Sequence, residues 1–353
     1  MGWVENASPE IEAKSEYRTI ISVVVVLTVL AISIVSARLW IRSKSHGMAS
    51  DDWMAVVSMA CCILYSIACI VQTKYGLGLG VLDRPKANLI PYTRWNYGAR
   101  PFYQLGISFF KIALLISYLR LFQGTNQVVY RRVVWGAIVL IFLGHLGCTF
   151  ALVFACTPVD KSWNPLTPGS CLAPGPSFAG YAIVTIISDV VVAVIPIPVL
   201  LKLKVGTGKK IGLIVIFLLG LFTTLCSVFR YLQINRIQYG DGNSTLLVLW
   251  GVIEFNVGNM VSSLPFLAPV FVRKAKEYRD KYGVNAYGSN GGKMGKSGDA
   301  YKLGSVSSQS KSAYASAQDH STSEENILKD AHDGSIMKSV TYSVHVDEAS
   351  RKV

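Results

Sequence analysis

Seven long stretches of mainly apolar residues constrain this chain more than any other feature of its sequence. An α-helix rises about 1.5 Å per residue, so roughly 20 apolar residues cross the ~30 Å hydrocarbon core of a membrane. The stretches that reach this length are Thr19–Ala37, Trp53–Thr73, Gly98–Phe122, Val133–Phe154, Phe178–Leu201, Ile211–Leu232 and Leu246–Val272. They predict an all-α membrane protein, built as a bundle of seven transmembrane helices.

The composition supports this prediction and argues against a nucleic-acid-binding protein. Charged residues make up 16% of the 353 residues, against about 25% in a typical soluble domain. The net charge of +13 would suit a nucleic-acid partner, but the basic residues lie mainly in short runs between the apolar stretches. Membrane lipids are therefore the expected partners. We expect a multi-pass protein of the plasma membrane or of an endomembrane.

The two ends of the chain differ from the apolar region. Residues 1–18 carry four glutamates, whereas a signal peptide opens with basic residues. The first apolar stretch is therefore predicted to be retained, within a membrane domain of residues 19–272. Residues 273–353 form the predicted cytoplasmic tail. This tail becomes rich in Ser, Gly, Lys, Asp and Tyr, a composition that buries too little apolar surface to offset the entropy of ordering, so it is predicted to be largely disordered.

Lysines and arginines in the loops normally decide which side of a membrane is cytoplasmic. Here ten lie on the side of the carboxyl terminus and nine on the other, and five more follow the last stretch. Two N-glycosylation motifs, at Asn6 and Asn243, both fall on the side of the amino terminus. Cys156 and Cys171 also fall there and bracket a proline-rich loop, where an oxidising compartment would favour a disulfide. We predict an external or lumenal amino terminus and a cytoplasmic carboxyl terminus.

Four ionisable side chains lie within the apolar stretches, and they are the candidate functional residues. They are Lys111, Asp189, Arg230 and Glu254. Each is costly in hydrocarbon unless it is paired or hydrated, so each marks a candidate site. Lys111 and Asp189 are predicted near the middle of the membrane, and Arg230 and Glu254 nearer its outer side. A polar, ligand-binding cavity in the outer half of the bundle would explain all four.

An alternative explanation is structural pairing of the same residues. Ion pairs Lys111–Asp189 and Arg230–Glu254 would fix the register of the helices without any ligand. The two explanations are compatible, because the wall of a cavity also needs its charges balanced. His145 lies in the middle of the fourth stretch with no second histidine nearby, which favours a hydrogen bond between helices over a metal ligand. No metal site is predicted.

Two further motifs lie at the ends of predicted helices. Pro196 and Pro198 close the fifth stretch, and proline ends or kinks a helix. We interpret them as the end of that helix, with a kink near its cytoplasmic end as the alternative. Asp51 and Asp52 precede Trp53, which is typical of acidic residues at a helix amino terminus followed by an interfacial tryptophan.

Short motifs also recur in a defined order along the chain. They are Asp51-Asp52-Trp53, Tyr75-Gly76-Leu77-Gly78, Lys111-Ile112-Ala113-Leu114-Leu115, Tyr118-Leu119-Arg120-Leu121-Phe122, Cys156-Thr157-Pro158 with Trp163 and Cys171, Asp189 with Pro196-Ile197-Pro198, Lys210-Ile211, Phe217-Leu218-Leu219-Gly220, Ser227-Val228-Phe229-Arg230, and Glu254 with Leu264-Pro265. This ordered set resembles the fungal rhodopsin-like integral membrane family, also described as SAT4-like and related to the PTH11-type receptors of filamentous fungi. The resemblance covers roughly residues 19–272. Val81 departs from it, since relatives often carry a basic pair there.

The resemblance implies an architecture rather than a response to light. A retinal photoreceptor needs a lysine in its last helix to form the Schiff base, and Leu246–Val272 contains none. We therefore expect no retinal and no other cofactor. Coupling to a G protein is not indicated either, because the third helix ends in Tyr118-Leu119-Arg120 rather than an acidic–arginine–aromatic triplet.

Three functions are considered. The first is a receptor-like protein that binds a small ligand in the outer cavity and signals to a cytoplasmic partner through its loops and tail. The second is an enzyme or accessory protein of a secondary-metabolite cluster, where relatives are encoded, with Asp189 or Glu254 as an acid or base. The third is a transporter, although the chain shows no internal repeat and no paired broken helices, which are the usual signs of one.

Overall fold

A computed structural model describes residues 2–45, 47–121, 128–198, 207–239 and 242–282. The α-helices are α1 (Pro9–Ala13), α2 (Tyr17–Ser45), α3 (Ser50–Lys74), α4 (Leu89–Leu121), α5 (Val128–Val153), α6 (Pro174–Val194), α7 (Thr207–Tyr239) and α8 (Thr245–Tyr282). Within these ranges seven helices, α2 to α8, are long and apolar enough to cross a membrane. The predicted seven-helix bundle is confirmed. The predicted disorder of the tail beyond residue 282 lies outside the described residues.

Helices α4 and α8 form the centre of the bundle. In their most apolar windows 72% and 67% of the residues are buried, whereas the other five helices bury 22–44%. Helix α4 packs against α3, α5 and α8, while α8 also packs against α2 and α7. Apolar side chains on the outer helices, such as Val26 on α2 and Leu140 on α5, are exposed. They form the surface that faces lipid.

Two glycines let the central helices approach each other closely. A Cβ atom at Gly106 of α4 would collide with the ring of Phe255 on α8, and one at Gly258 of α8 would collide with the ring of Phe110 on α4. Each helix thus receives a phenylalanine of the other in a place that only glycine leaves free. This reciprocal packing holds Lys111 and Glu254, which neighbour these residues, at the centre of the bundle.

Several helices extend beyond the apolar stretches that predict them. Helix α2 continues to Ser45 instead of Ala37, α4 begins at Leu89 instead of Gly98, and α8 continues to Tyr282. Hydropathy marks only residues that suit hydrocarbon, whereas the backbone stays helical where polar side chains face the protein interior or leave the membrane. Helix α6 ends at Val194, a turn follows at Ile195 and Pro196, and helical conformation resumes at Ile197 and Pro198. The break coincides with the proline motif and fits both the predicted helix end and the alternative kink.

Both predicted glycosylation motifs and both predicted disulfide cysteines lie at one end of the bundle, which we call the amino-terminal end (residues 2–16, 75–88, 154–173 and 242–244). Cys156 and Cys171 are joined by a disulfide, and they face each other across the antiparallel strands β1 (Cys156–Thr157) and β2 (Ser170–Cys171). Asn6 donates to Asn88 at 2.8 Å. Asn243 accepts the Thr245 N–H at 2.9 Å and so caps α8. Glycosylation at these two asparagines stays a prediction.

Candidate functional site

A cavity of about 540 Å³ lies between the helices toward the amino-terminal end. This volume falls within the roughly 300–1,000 Å³ that is typical of small-molecule sites. Residues of α3 to α8, of the loop after α3 and of the segment just before α8 line it: Tyr65, Cys69, Gln72, Arg84, Tyr92, Thr93, Asn96, Ala99, Arg100, Tyr103, Gln104, Leu152, Gly175, Phe178, Tyr181, Ala182, Arg230, Ile234, Gly242, Ser244, Leu247 and Val248.

One face of helix α4 supplies much of the lining. Tyr92, Asn96, Ala99 and Tyr103 recur at intervals of three and four residues, which places them on one side of a helix. The aromatic rings of Tyr65, Tyr92, Tyr103, Phe178 and Tyr181 give the cavity apolar walls with a hydroxyl on most of them. Such walls suit a ligand that is partly apolar and partly polar.

Three arginines line the cavity, and within the described part of the chain no Asp or Glu lines it. Arg84 stacks over the ring of Tyr92, with its guanidinium carbon 3.6 Å from the ring centroid. Arg100 donates from Nε to Asn96 at 2.8 Å and lies 5.1 Å from the ring of Phe178. Among the described residues, neither Arg84 nor Arg100 forms an ion pair. The cavity is therefore positively charged.

The third arginine, Arg230, belongs to an ion pair at the floor of the cavity. Its Nε lies 3.4 Å from Oε2 of Glu254, and the hydroxyl of Tyr103 donates to the same oxygen at 2.9 Å. The Glu254 side chain is fully buried, and among the described residues its Oε1 has no hydrogen-bond partner. A buried polar atom without a partner costs free energy, so this cluster is incompletely satisfied.

Lys111 and Asp189 form a second ion pair deeper in the bundle, 3.0 Å apart. The ammonium of Lys111 also donates to Ser188 Oγ at 2.6 Å and to the Thr185 carbonyl at 3.2 Å, so its three donors are all used. The other oxygen of Asp189 accepts the hydroxyl of Ser227 at 2.8 Å. This pair joins α4, α6 and α7 with no group left unpaired.

His145 connects the cavity to the deeper pair. Its Nδ1 lies 3.0 Å from Nε2 of Gln104, which lines the cavity, and its Nε2 lies 3.2 Å from Ser188 Oγ. Because Ser188 donates its hydroxyl to the Thr185 carbonyl, the consistent assignment has His145 Nε2–H donating to Ser188 and Nδ1 accepting from Gln104. A continuous polar chain thus runs from the cavity to Lys111.

The structure separates the four residues that sequence predicts around one cavity. Both predicted pairs, Lys111–Asp189 and Arg230–Glu254, are formed. Arg230 lines the large cavity, and Glu254 lies behind it. Lys111 and Asp189 instead border a separate void of about 20 Å³, which is room for roughly one water molecule. The predicted residues thus divide between the floor of the cavity and the polar chain beneath it.

The cavity-lining residues on the first three turns of α4 are not predicted from the sequence. From the sequence Arg100 is counted among the external loop charges, because it lies only two residues inside the third apolar stretch, whereas the helix itself begins at Leu89. The signal that would identify this face is the spacing of Tyr92, Asn96 and Arg100 at intervals of four, continued by Tyr103 and Gln104. This pattern describes a polar helical face that continues directly into an apolar helix.

A third buried cluster, at the opposite end of the bundle, is also missed. We call it the arginine–aspartate cluster: Arg38, Arg42, Asp51 and Asp52. Arg38 donates to Asp52 at 3.0 Å and to Asp51 at 2.7 Å. Arg42 donates to Asp52 at 2.9 Å and to Asp51 at 3.1 Å. The four side chains are at most 4% exposed.

This cluster corrects two interpretations made from the sequence. Arg38 and Arg42 do not lie in a loop, because α2 continues past them to Ser45, and both are paired with aspartates in the interior. Asp51 and Asp52 are more than a helix cap. Asp52 does accept the Ala49 N–H at 3.0 Å, as a capping residue does, but the arginines are the main partners of both carboxylates. Trp53 is 57% exposed, as predicted for an interfacial residue.

Comparison with known proteins agrees with this architecture. Residues 37–273 match the fungal rhodopsin domain, so the chain belongs to the fungal rhodopsin domain family. It is 25% identical over 277 residues to "Receptor GIN3" of Arthrobotrys oligospora, covering 76% of this chain and 66% of that protein. It is 24% identical over 242 residues to a "SAT4 family membrane protein" of Emericella nidulans, covering 67% of this chain and 59% of the relative.

A third relative comes from a biosynthetic gene cluster. "Polyenoic acids biosynthesis gene cluster protein Ba17b" of Metarhizium anisopliae is 25% identical over 287 residues, which cover 75% of this chain and 76% of that protein. No solved structure matches the chain significantly. The protein is thus a multi-pass, seven-helix membrane protein whose relatives include both a protein named as a receptor and proteins of secondary-metabolite clusters.

Proposed function

We propose that this protein is a receptor that binds a small amphipathic molecule in the cavity and transmits binding to the opposite end of the bundle. In this proposal the amino-terminal end faces the exterior or a lumen, and the loops and tail at the opposite end contact a cytoplasmic signalling partner. The observation that carries the proposal is the polar chain from Gln104 to Lys111, because it links the wall of the cavity to the centre of the bundle.

Helix α7 is the element through which transmission is proposed. Ser227 holds Asp189 of α6, and Arg230, one turn further along α7, holds Glu254 of α8. A ligand that contacts Arg230 or displaces Gln104 changes the partners of both networks at once. Since the two networks share α7, the expected response is a displacement of this helix relative to its neighbours.

The geometry supports binding more than catalysis. An acid or base that acts on a ligand must reach it, and within the described part of the chain no carboxylate lines the cavity. Both oxygens of Asp189 are occupied, by Lys111 and Ser227. Glu254 is separated from the cavity by Tyr103 and Arg230. The enzyme hypothesis therefore predicts an altered metabolite profile in Asp189→Asn or Glu254→Gln strains, whereas the receptor proposal predicts an unchanged one.

Blocking the cavity tests the binding step. The full chain is reconstituted in lipid nanodiscs and screened against amphipathic small molecules by equilibrium dialysis. Ala99 lines the cavity and is 5% exposed, so Ala99→Trp fills it and is expected to reduce the affinity of any cavity ligand at least tenfold. Ala60→Trp is the matched control, since Ala60 lies on the exposed side of α3. Equal binding by both variants contradicts the proposal.

A further inference from the structure

The charges that line the cavity do not balance. Three arginines face it, and among the described residues Glu254, behind Arg230, is the one carboxylate paired with any of them. Burying a guanidinium away from water and without a counter-ion is costly. The cavity therefore leaves two positive charges, on Arg84 and Arg100, for which the described part of the chain supplies no anion.

Of these two, Arg100 is the one whose donors remain available. The Nε and Nη2 of Arg84 already lie 3.3 Å from the Gly76 carbonyl and 3.5 Å from the Leu79 carbonyl, so it is committed to the loop after α3. Within the described residues Arg100 donates through its Nε alone, toward Asn96, and its guanidinium lies against Phe178. Its two terminal amino groups are therefore free to bind a ligand.

A planar guanidinium with two free amino groups matches a carboxylate, which it binds through two parallel hydrogen bonds. The remainder of the cavity is much larger than a carboxylate, and its walls are aromatic and aliphatic, including Leu152, Leu247 and Val248. A single free arginine suits one negative charge better than the two of a phosphate monoester. The complementary ligand is thus a monoanion with an apolar body.

We propose that the ligand is an organic carboxylate with an apolar body, and that Arg100 binds its carboxylate. This inference rests on the proposed function, because it names the class of molecule that occupies the same cavity. The apolar body lies among Tyr65, Tyr103 and Tyr181, and the carboxylate accepts hydrogen bonds from the two terminal amino groups of Arg100. The ligand supplies the anion that the protein lacks.

The test measures charge preference with matched pairs of probes. The full chain in nanodiscs is dialysed against decanoate, 1-naphthaleneacetate and 4-(1-pyrenyl)butyrate, and separately against the primary amide of each acid. Empty nanodiscs give the partitioning into lipid, which is subtracted. At least one carboxylate is expected to bind ten times more tightly than its amide. Arg100→Gln is expected to lower the affinity for the carboxylate at least tenfold and so abolish this preference, while the uncharged amide loses much less affinity. Retained binding of the amide also shows that the variant is folded.

Arg94→Gln is the matched control, because Arg94 lies on the same helix but is exposed outside the cavity. It removes the same charge and is expected to leave the preference intact, while Arg100→Lys should retain part of it. Equal affinity for acids and amides, an equal loss in Arg94→Gln and Arg100→Gln, or no binding of any carboxylate each overturns the inference. If the amides bind equally well and Ala99→Trp still blocks them, the proposed function stands and only the carboxylate is excluded.

Discussion

The arginine–aspartate cluster and the Arg230–Glu254 pair at the floor of the cavity differ in how completely their buried charges are hydrogen-bonded. Both place opposite charges in a membrane protein's interior, where each charge is costly unless it is paired. In the first, all four carboxylate oxygens of Asp51 and Asp52 accept hydrogen bonds from arginine. In the second, Oε2 of Glu254 has two partners, whereas Oε1 has none within the described part of the chain.

The difference follows from where the partners lie in the chain. Arg38 and Arg42 are one turn apart on α2, and the two aspartates begin α3 a few residues later, so a short connection brings both pairs together. Arg230 and Glu254 belong to different helices beside a cavity that a ligand can enter. A fully satisfied cluster stabilises one arrangement of helices, whereas an incompletely satisfied one can change partners at low cost.

The largest predicted effect on stability comes from removing one carboxylate of the arginine–aspartate cluster. Asp52→Asn leaves Arg38 and Arg42 short of an anion in the interior, and breaking a buried pair in this way costs about 3–5 kcal/mol. We expect a loss of that size in the free energy of unfolding, measured by denaturant titration in nanodiscs. Asp160→Asn, in the exposed loop after α5, serves as the control. A loss below ~1 kcal/mol in the free energy of unfolding would show that this cluster does not stabilise the arrangement of the helices.

A smaller effect is predicted for the floor of the cavity. In Glu254→Gln the amide oxygen still accepts the Tyr103 hydroxyl, and Arg230, whose side chain is 14% exposed, can gain water from the cavity. The cost should be about 1–2 kcal/mol, in the range of a lost hydrogen bond. The same denaturant titration measures it. A cost as large as that of Asp52→Asn would remove the distinction between the two clusters.

Gln104→Leu tests the link between cavity and centre. It removes one hydrogen bond from His145 and should cost about 1 kcal/mol, while the ligand affinity changes less than threefold. Hydrogen exchange of α7 and α8 with and without ligand gives the second readout. We expect the ligand-induced change in wild-type protein to disappear in this variant. If it persists undiminished, His145 is a structural residue only.

The smallest effect on stability is predicted for Arg120, at the edge of the arginine–aspartate cluster. Its Nη1 lies 3.5 Å from Asp51 and its side chain is 37% exposed, so water screens the interaction. Arg120→Gln should cost less than about 1 kcal/mol, measured in the same titration. A larger loss in the free energy of unfolding would show that Arg120 of α4 is a full member of the cluster.

Sequence alone predicts the seven membrane helices, which depend on hydrophobic patterning, and the two ion pairs between charges within the apolar stretches. Seven apolar stretches lead directly to seven helices, and the few charges within them, such as Lys111 and Asp189, have few possible partners. It misses Arg38, which lies just beyond the end of an apolar stretch, and Arg100, which lies at the very start of one, because their inward direction depends on how far each helix continues. A polar cavity in the outer half of the bundle is predicted from the four charges, but most of its lining is not, since the lining arises from the spacing of six helices.

The most direct test of the account measures helix movement on binding. Spin labels are placed at Val129→Cys on α5 and Val215→Cys on α7, both exposed and away from the cavity, and their separation is measured by double electron–electron resonance in nanodiscs. A bound ligand is predicted to shift the distance distribution in otherwise wild-type protein and to leave it unchanged in Gln104→Leu. Identical distributions with and without bound ligand would contradict transmission through α7.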